Sequence, residues 1–266
     1  MIRHLLEQGE SALAEFAARP RLVLIFDFDG TLSPLAPTPD DARIDSDARE
    51  ALRSVIADGD PGVRVGIASG RRIEVLRRLV PEVHFLIGLH GLELAIGGEA
   101  VRLRFDPRES DAALDRLRRR AGDFTREGAR LEDKQHALTL HVRGLTPERA
   151  ATALGTFAEA VHRERRAGAP IAALYGHASI EARPAEAGKH LAIGEIRDGF
   201  GGGALGFVGD DATDEDVFRA FAGELNVAVM DPVRETAAKY YLRSPAETAA
   251  MIRRFSELRA ALNRRG

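Results

Sequence analysis

Five short apolar runs punctuate the chain: LVLIF (22–26), VRVGIA (63–68), HFLIG (84–88), LGFVG (205–209) and LNVAV (225–229). Each is nearly continuous rather than alternating, as strands buried on both faces are. Beside them lie Ala/Arg/Glu-rich segments with apolar residues at helical spacing, near 4–18, 46–57, 71–79, 188–198, 214–222, 232–238 and 245–263. This alternation predicts an α/β fold, a parallel sheet with helices on both faces. Ligands of such sheets bind beyond the carboxyl ends of the strands, which is where Asp27, Ser69 and Asp210 fall.

From about 107 to 180 the rhythm changes. The pattern reads helix (108–121), two strands (ARLEDK and ALTLHVR), helix (147–166) and two more strands (IAALYG and ASIEAR). Tight turns are available at Gln135-His136 and Gly176-His177. The stretch therefore predicts a small α+β domain inserted into the larger one. Asp106-Pro107 and Arg183-Pro184 mark the expected linkers, because proline discourages continuation of an element. The expected division is a core domain of 1–106 and 184–266 with an inserted domain of 107–183. The run GGG at 201–203 reads as a turn before the next strand, since it lacks the flanking spacing of a phosphate loop.

Composition narrows the function classes. With 266 residues, 44% hydrophobic and 30% charged, the chain is of globular type and long enough for one large core or two smaller ones. A net charge of -3 argues against a nucleic-acid partner. The absence of cysteine excludes disulfides, thiolate metal sites and cysteine nucleophiles. No apolar run approaches the roughly 18 residues of a membrane span. The N-terminal MIRHLLEQGESALAEF carries charges at helical spacing, unlike a secretory signal. A cytoplasmic location without a membrane partner is expected, with a monomer as the favoured state.

Candidate chemistry begins at LIFDFDGTLSP. Asp27 and Asp29 sit one residue apart at a strand end, so both carboxylates face the strand-end crevice while Phe28 turns inward. Two such anions repel, and a cation beside them would relieve the conflict. Asp-Gly alone is a common turn pair. A second acidic cluster, however, ends another strand in FVGDDATDEDVF (207–218). Helix capping accounts for Asp214, Glu215 and Asp216 but does not require Asp210. Oxygen donors from two strand ends suit Mg²⁺, shared with a substrate phosphate. Ser69 in ASGRR reads alone as an ordinary helix N-cap, and Lys189 in AGKHL as a surface lysine. Their value lies in the combination.

DFDGT, then SGR, then a lysine, then GDDATDED resembles the haloacid-dehalogenase-like phosphatase superfamily in order and placement over nearly the whole chain. Within it the chain is similar to the trehalose-6-phosphate phosphatases. SPLAPTPDDA, GLHGLEL (88–94), LEDKQHALTLHVRG (131–144), IEARP (180–184) and GDDATDEDVF carry that narrower likeness. His190 after the lysine, HVR and GLHG depart from the family pattern. The resemblance implies a Rossmannoid parallel-sheet core with an inserted C2-type α+β cap. It also implies an Mg²⁺-dependent hydrolase acting on a small sugar phosphate.

The same resemblance assigns roles. Asp27 is the expected nucleophile, forming an aspartyl-phosphate, and Asp29 the acid and then the base. Asp27, the Asp29 backbone carbonyl and Asp210 are the expected metal ligands, with Asp214 and Asp211 supporting them. Ser69, Lys189 and the N–H groups of Gly30 and Thr31 are expected on the phosphoryl oxygens. Arg71, His90 and Gly91 on the core, with Glu132, Lys134 and Glu181 on the inserted domain, are the expected sugar contacts. His141 and Arg143 read as supporting or merely exposed, and the arginine runs RLRRR and RERR as solvated helix faces. A phosphatase for another sugar phosphate of the glucosylglycerol or mannosylglycerate type, or a phosphomutase, shares this chemistry. A non-catalytic sugar-phosphate-binding module would normally have lost one of Asp27, Asp29, Lys189 or Asp210, and all four stand.

Overall fold

The structure, a computed structural model, describes residues 2–176 and 178–264. The chain divides into two compact units, Met1–Arg102 with Lys189–Gly266, and Leu103–Gly188. The first unit opens with β1 (Arg3–His4), α1 (Leu5–Gln8), α2 (Glu10–Ala17), β2 (Leu22–Phe26), α3 (Ser46–Ala57) and β3 (Val63–Ala68). It continues through α4 (Ile73–Leu79), β4 (Phe85–Gly88) and β5 (Glu93–Ile96) to β6 (Arg102–Leu103). The second unit holds α5 (Arg108–Arg118), α6 (Ala121–Thr125), β7 (Arg130–Asp133), β8 (Leu138–His141), α7 (Pro147–Arg166), β9 (Ile171–Gly176) and β10 (Ser179–Pro184). The chain then returns to the first unit with α8 (Lys189–Gly199), β11 (Ala204–Gly209), α9 (Glu215–Ala220), β12 (Leu225–Val229), β13 (Tyr240–Leu242) and α10 (Pro245–Asn263).

The nine-stranded sheet runs β1-β13-β12-β11-β2-β3-β4-β5-β6, with β2 at its centre. Every residue of β2 is buried, and the strand alternates its side chains between two cores. Leu22, Leu24 and Phe26 join the layer formed with Phe16, Leu52 and Phe255. Val23 and Ile25 join the layer formed with Ile193, Ile196 and Phe218. The expected parallel, two-faced sheet is present. Sequence reading missed β5, which is antiparallel to β4 because the link between them is too short for a crossover. It also missed the short β1, β6 and β13.

Two predicted helices differ. The 4–18 helix breaks at Gly9, whose Cα lies so close to Tyr240 that an added Cβ would stand 2.7 Å from the ring. Residues 232–238 form no helix. Their backbone N–H groups are drawn elsewhere, that of Ala237 to Glu215 Oε2 at 2.9 Å and that of Ala238 to Thr236 Oγ1 at 3.1 Å.

The second unit is a four-stranded antiparallel sheet, β7-β8-β10-β9, so the two predicted strand pairs form one sheet. Leu138, Leu140, Ile180 and Ala182 pack one face against Leu114, Phe124 and Phe157 of its helices. The turn before His136 holds Gln135 at φ 73, whereas His177 of the other predicted turn lies outside the described residues. β10 continues through Arg183 and Pro184, pairing with Ala172 and Ile171, where a linker was expected. Its pairing with β8 ends at Ala182, so proline's missing N–H breaks no ladder there.

Candidate active site

At the carboxyl end of β2 the Asp27 N–H donates to Val208 O at 2.8 Å, continuing the ladder with β11 by one residue. That contact fixes Asp27 beside the end of β11, where Asp210 follows Gly209. Single carboxylate oxygens of Asp27, Asp210 and Asp214 lie within 4.8 Å of one another. Lys189, the first residue of α8, is buried among them and donates to Asp214 Oδ1 at 2.7 Å. Its Nζ also stands 3.1 Å from Asp27 Oδ1. Burial alone would lower the lysine pKa, but the charges of Asp214 and Asp27 raise it, so it stays cationic.

One lysine does not balance three acids, of which Asp27 and Asp214 are buried and Asp210 half-buried. Burial pushes the Asp27 carboxyl up to about 7, with Lys189 opposing and the charges of Asp214 and Asp29 adding to the rise. Asp210 is pushed well above the usual carboxylate range by burial and then by the Asp27 charge. Burial raises Asp214 as well, against the pull of Lys189. Asp214 has both oxygens engaged: Oδ1 by Lys189, and Oδ2 by the Asp211 N–H at 3.1 Å. Asp211 and Asp214 close a reciprocal cap on the short turn Ala212–Asp214, so the capping expected there coexists with the lysine contact.

The turn after Asp27 is tight. Gly30 has φ +76, and a Cβ on it would stand 2.0 Å from Asp210 Oδ2, so only glycine fits. Its N–H, expected to face an anion, instead donates to Ser33 O at 2.8 Å. The Thr31 hydroxyl oxygen is buried without a hydrogen-bond partner among the described residues. That orphan was not anticipated, and a buried polar atom at a strand-end turn is suited to meeting a ligand.

Asp29 points to Arg71. The guanidinium donates from Nε to Oδ2 at 2.7 Å and from Nη2 to Oδ1 at 2.6 Å, a two-pronged pair, while Nη1 donates to Pro39 O at 2.8 Å. Arg71, expected on the sugar, thus contacts the carboxylate expected to be the acid. Ser69 is buried, and its Oγ accepts the Arg71 N–H at 3.2 Å. It does not cap α4. That role falls to Glu93, whose Oε2 accepts the Ile73 N–H at 2.7 Å. The sequence signal for Glu93 is an acid inside the apolar GLEL stretch.

His90 and Gly91 form a turn rather than an open wall. Leu89, His90 and Gly91 have φ values of 46, 53 and 103, a left-handed run uncommon outside glycine. The His90 N–H donates to Ser69 O at 3.0 Å and the Leu89 N–H to Arg71 O at 2.9 Å, so the turn holds the Ser-Gly-Arg backbone. The His90 ring fills the space beside Gly70, where a Cβ would lie 2.4 Å from Nε2.

In the second unit the strand register aligns Glu132 with Thr139 and Thr139 with Glu181. Lys134 donates to Glu181 Oε2 at 2.7 Å, as does the Thr139 hydroxyl. Glu132 Oε2 lies 2.7 Å from His141 Nε2. Burial would raise the Glu132 carboxyl, but the His141 contact and the Lys134 charge hold it below the usual range. Glu132, Lys134 and Glu181 therefore form one polar row, and Thr139 and His141 belong to it.

A family model described as trehalose-phosphatase matches residues 25–246. The chain belongs to the trehalose-phosphatase family. Trehalose 6-phosphate phosphatase RA3 of Zea mays is 29% identical over 288 residues, covering 96% of this chain and 77% of that protein. The trehalose-phosphate phosphatase of Mycobacterium avium (strain 104) is 33% identical over 255 residues, covering 88% of this chain and 62% of its own. The C-terminal domain of C. albicans trehalose-6-phosphate phosphatase has the same fold, with TM-score 0.81, 20% identity and coverage of 97% and 98%. The fold is haloacid-dehalogenase-like.

The acidic cluster of this family member suits a hard divalent cation. Its donors are carboxylate oxygens alone, they converge, and the excess of buried acids over Lys189 is the imbalance a dication relieves. Asp27 and Asp210 have oxygens to offer, whereas Asp214 is committed to Lys189 and the turn. The arginine runs are paired surface groups, with Arg116 on Glu164, Arg118 on Asp133 and Arg166 on Glu159. No helix among the described residues is long and apolar enough to cross a membrane.

Proposed function

We propose that this chain hydrolyses trehalose 6-phosphate to trehalose and phosphate through an aspartyl-phosphate on Asp27. The observation that carries the reading is the convergence of Asp27, Asp210 and Asp214 around buried Lys189 at adjacent strand ends. Mg²⁺, held by Asp27, the Asp29 carbonyl and Asp210, would supply positive charge that offsets the repulsion between a carboxylate and a phosphate dianion. Asp27 attacks phosphorus as the carboxylate, the form that neighbouring cations favour. Lys189 stays charged through its acidic partners and neutralises a transferring oxygen, with Ser69 and the unpartnered Thr31 hydroxyl as further donors.

Asp29 hands a proton to the leaving sugar oxygen and then draws one from the attacking water. With both its oxygens accepting from Arg71, that exchange requires the guanidinium to shift towards the incoming phosphate. In the 103–188 unit, Glu132, Lys134 and Glu181 offer the fixed acceptors and donors that a disaccharide's hydroxyls need. The test is phosphate release with Mg²⁺ across a panel of sugar phosphates that includes trehalose 6-phosphate. Stoichiometric trehalose and phosphate are expected. Faster turnover of monosaccharide phosphates would overturn the substrate, and full activity in Asp27→Asn would overturn the chemistry.

A further inference from the structure

A cavity of about 930 Å³ opens in the first unit at the opposite ends of the strands from Asp27. It lies around the start of β3 and β4 and the end of α8. β3 alone separates Arg64, at the cavity, from Ser69 by five residues, about 16 Å of extended chain. Exposed Ile96 and half-buried Phe200 and Ile56 give it apolar walls, over the buried Phe85, Leu94 and Ile196.

Both signs of charge line this cavity, Asp60, Glu82 and Glu195 with Arg64 and Arg102, and the pairing among them decides what it could take. Arg64 Nη1 donates only to backbone, to Val63 O at 3.0 Å and Pro61 O at 3.3 Å, and its guanidinium lies 4.6 Å from the Phe200 ring centroid. No carboxylate pairs with Arg64 among the described residues. The lining acids are otherwise engaged or open to solvent: Asp60 binds Arg259, Glu195 binds Arg102, and Glu82 is exposed. His84 adds a donor. Its Nδ1 accepts the Val65 N–H at 3.0 Å, so the ring proton sits on Nε2. Burial and then the Arg64 charge lower its pKa, which keeps the ring neutral.

We propose that this cavity is a second binding site, taking a small monoanion with a planar apolar body, such as an aryl sulfonate or carboxylate. The anion would meet Arg64 and the His84 N–H while its body lies against Phe200 and Ile96. A guanidinium already stacked on one ring is held in place for such a partner. The volume falls in the range of pockets that enclose small ligands.

The test uses 1-anilinonaphthalene-8-sulfonate on the whole chain, followed by fluorescence and calorimetry. One saturable site is expected, undisturbed by orthovanadate, which addresses the phosphate site instead. Arg64→Gln is expected to weaken binding at least about tenfold. It should leave the affinity for the uncharged N-phenyl-1-naphthylamine unchanged. Gly199→Phe tests occupancy separately, since Gly199 lines the cavity and a Cβ there meets no atom within 4 Å. It should weaken both probes while phosphate release stays at the wild-type rate. Unchanged sulfonate binding in Arg64→Gln, displacement by orthovanadate, or several weak sites would each overturn the proposal.

Discussion

Asp27 is buried beside two further carboxylates and one lysine, and its carboxyl is pushed up to about 7 from 3.8. Between those values the unfolded chain has released a proton that the folded chain still holds. Folded protein then binds more protons, so its stability falls as pH rises through this window. Asp27→Asn cannot ionise and escapes that loss. In the presence of a chelator, its Tm is expected to exceed that of the wild type at about pH 7.5, with the gap closing towards about pH 4. Thermal scans at both pH values check this, and a lower Tm for the variant near neutrality would count against it. The same variant is expected to lose at least about 10³-fold in phosphate release if Asp27 is the nucleophile. Asp29 shows how a neighbour changes a residue's meaning. Its place at the strand end was legible from DFDGT, but its partner Arg71 stands 42 residues away, and no local pattern reports that contact.

Elements were legible where burial writes itself as an apolar run. β2, β3, β4, β11 and β12 were each read nearly to the residue because both faces of the sheet are covered. The short β1 and β13 pair with each other at the edge, and two or three residues carry no period. The helix expected at 232–238 failed for a related reason: composition favoured it, but a tertiary contact took the Ala237 N–H and the Thr236 hydroxyl that of Ala238. Long-range anchors are invisible in the same way. Arg259 of α10 donates to Ala17 O and Arg19 O at 2.8 Å each, and to Asp60 Oδ2 at 2.7 Å. It thereby ties the end of α2 and the α3–β3 loop to the last helix. Arg259→Ala is expected to destabilise the chain by about 3 kcal/mol, readable in urea unfolding. Burial would raise the Asp60 carboxyl, yet the Gly62 N–H and Arg259 hold it below its usual value. A depressed carboxylate contributes its stability above the unfolded pKa and loses it as pH falls through the folded one. The cost of Arg259→Ala should therefore be full at neutral pH and shrink below about pH 4. A cost that stays constant with pH would assign it to the carbonyl contacts instead.

On the scale of the whole molecule, the two units hold different sets of polar groups. Asp27, Asp210 and Asp214 of the first unit meet Lys189 at the carboxyl ends of β2 and β11, where topology brings them together. That convergence was legible for Asp27, Ser69 and Asp210, which each follow an apolar run, whereas Lys189 opens α8 and stood out only through the combined motif. The row in the second unit was legible only in part. Alternating charges on a strand resemble any wet face, and the three-strand register that joins Glu132, Thr139 and Glu181 appears only once the sheet is assembled. If the first unit handles the phosphoryl group and the second the sugar, variants of the row should separate the two. Lys134→Ala is expected to lower kcat/KM for trehalose 6-phosphate by about 10- to 100-fold, the loss typical when a buried polar contact to substrate is removed. Hydrolysis of p-nitrophenyl phosphate, which presents no sugar, should stay within about twofold of wild type. Since Lys134 also pairs with Glu181, a melting scan must accompany the rates to separate recognition from folding. An equal fall on both substrates in a folded variant would place Lys134 in the common phosphoryl chemistry and sink the division.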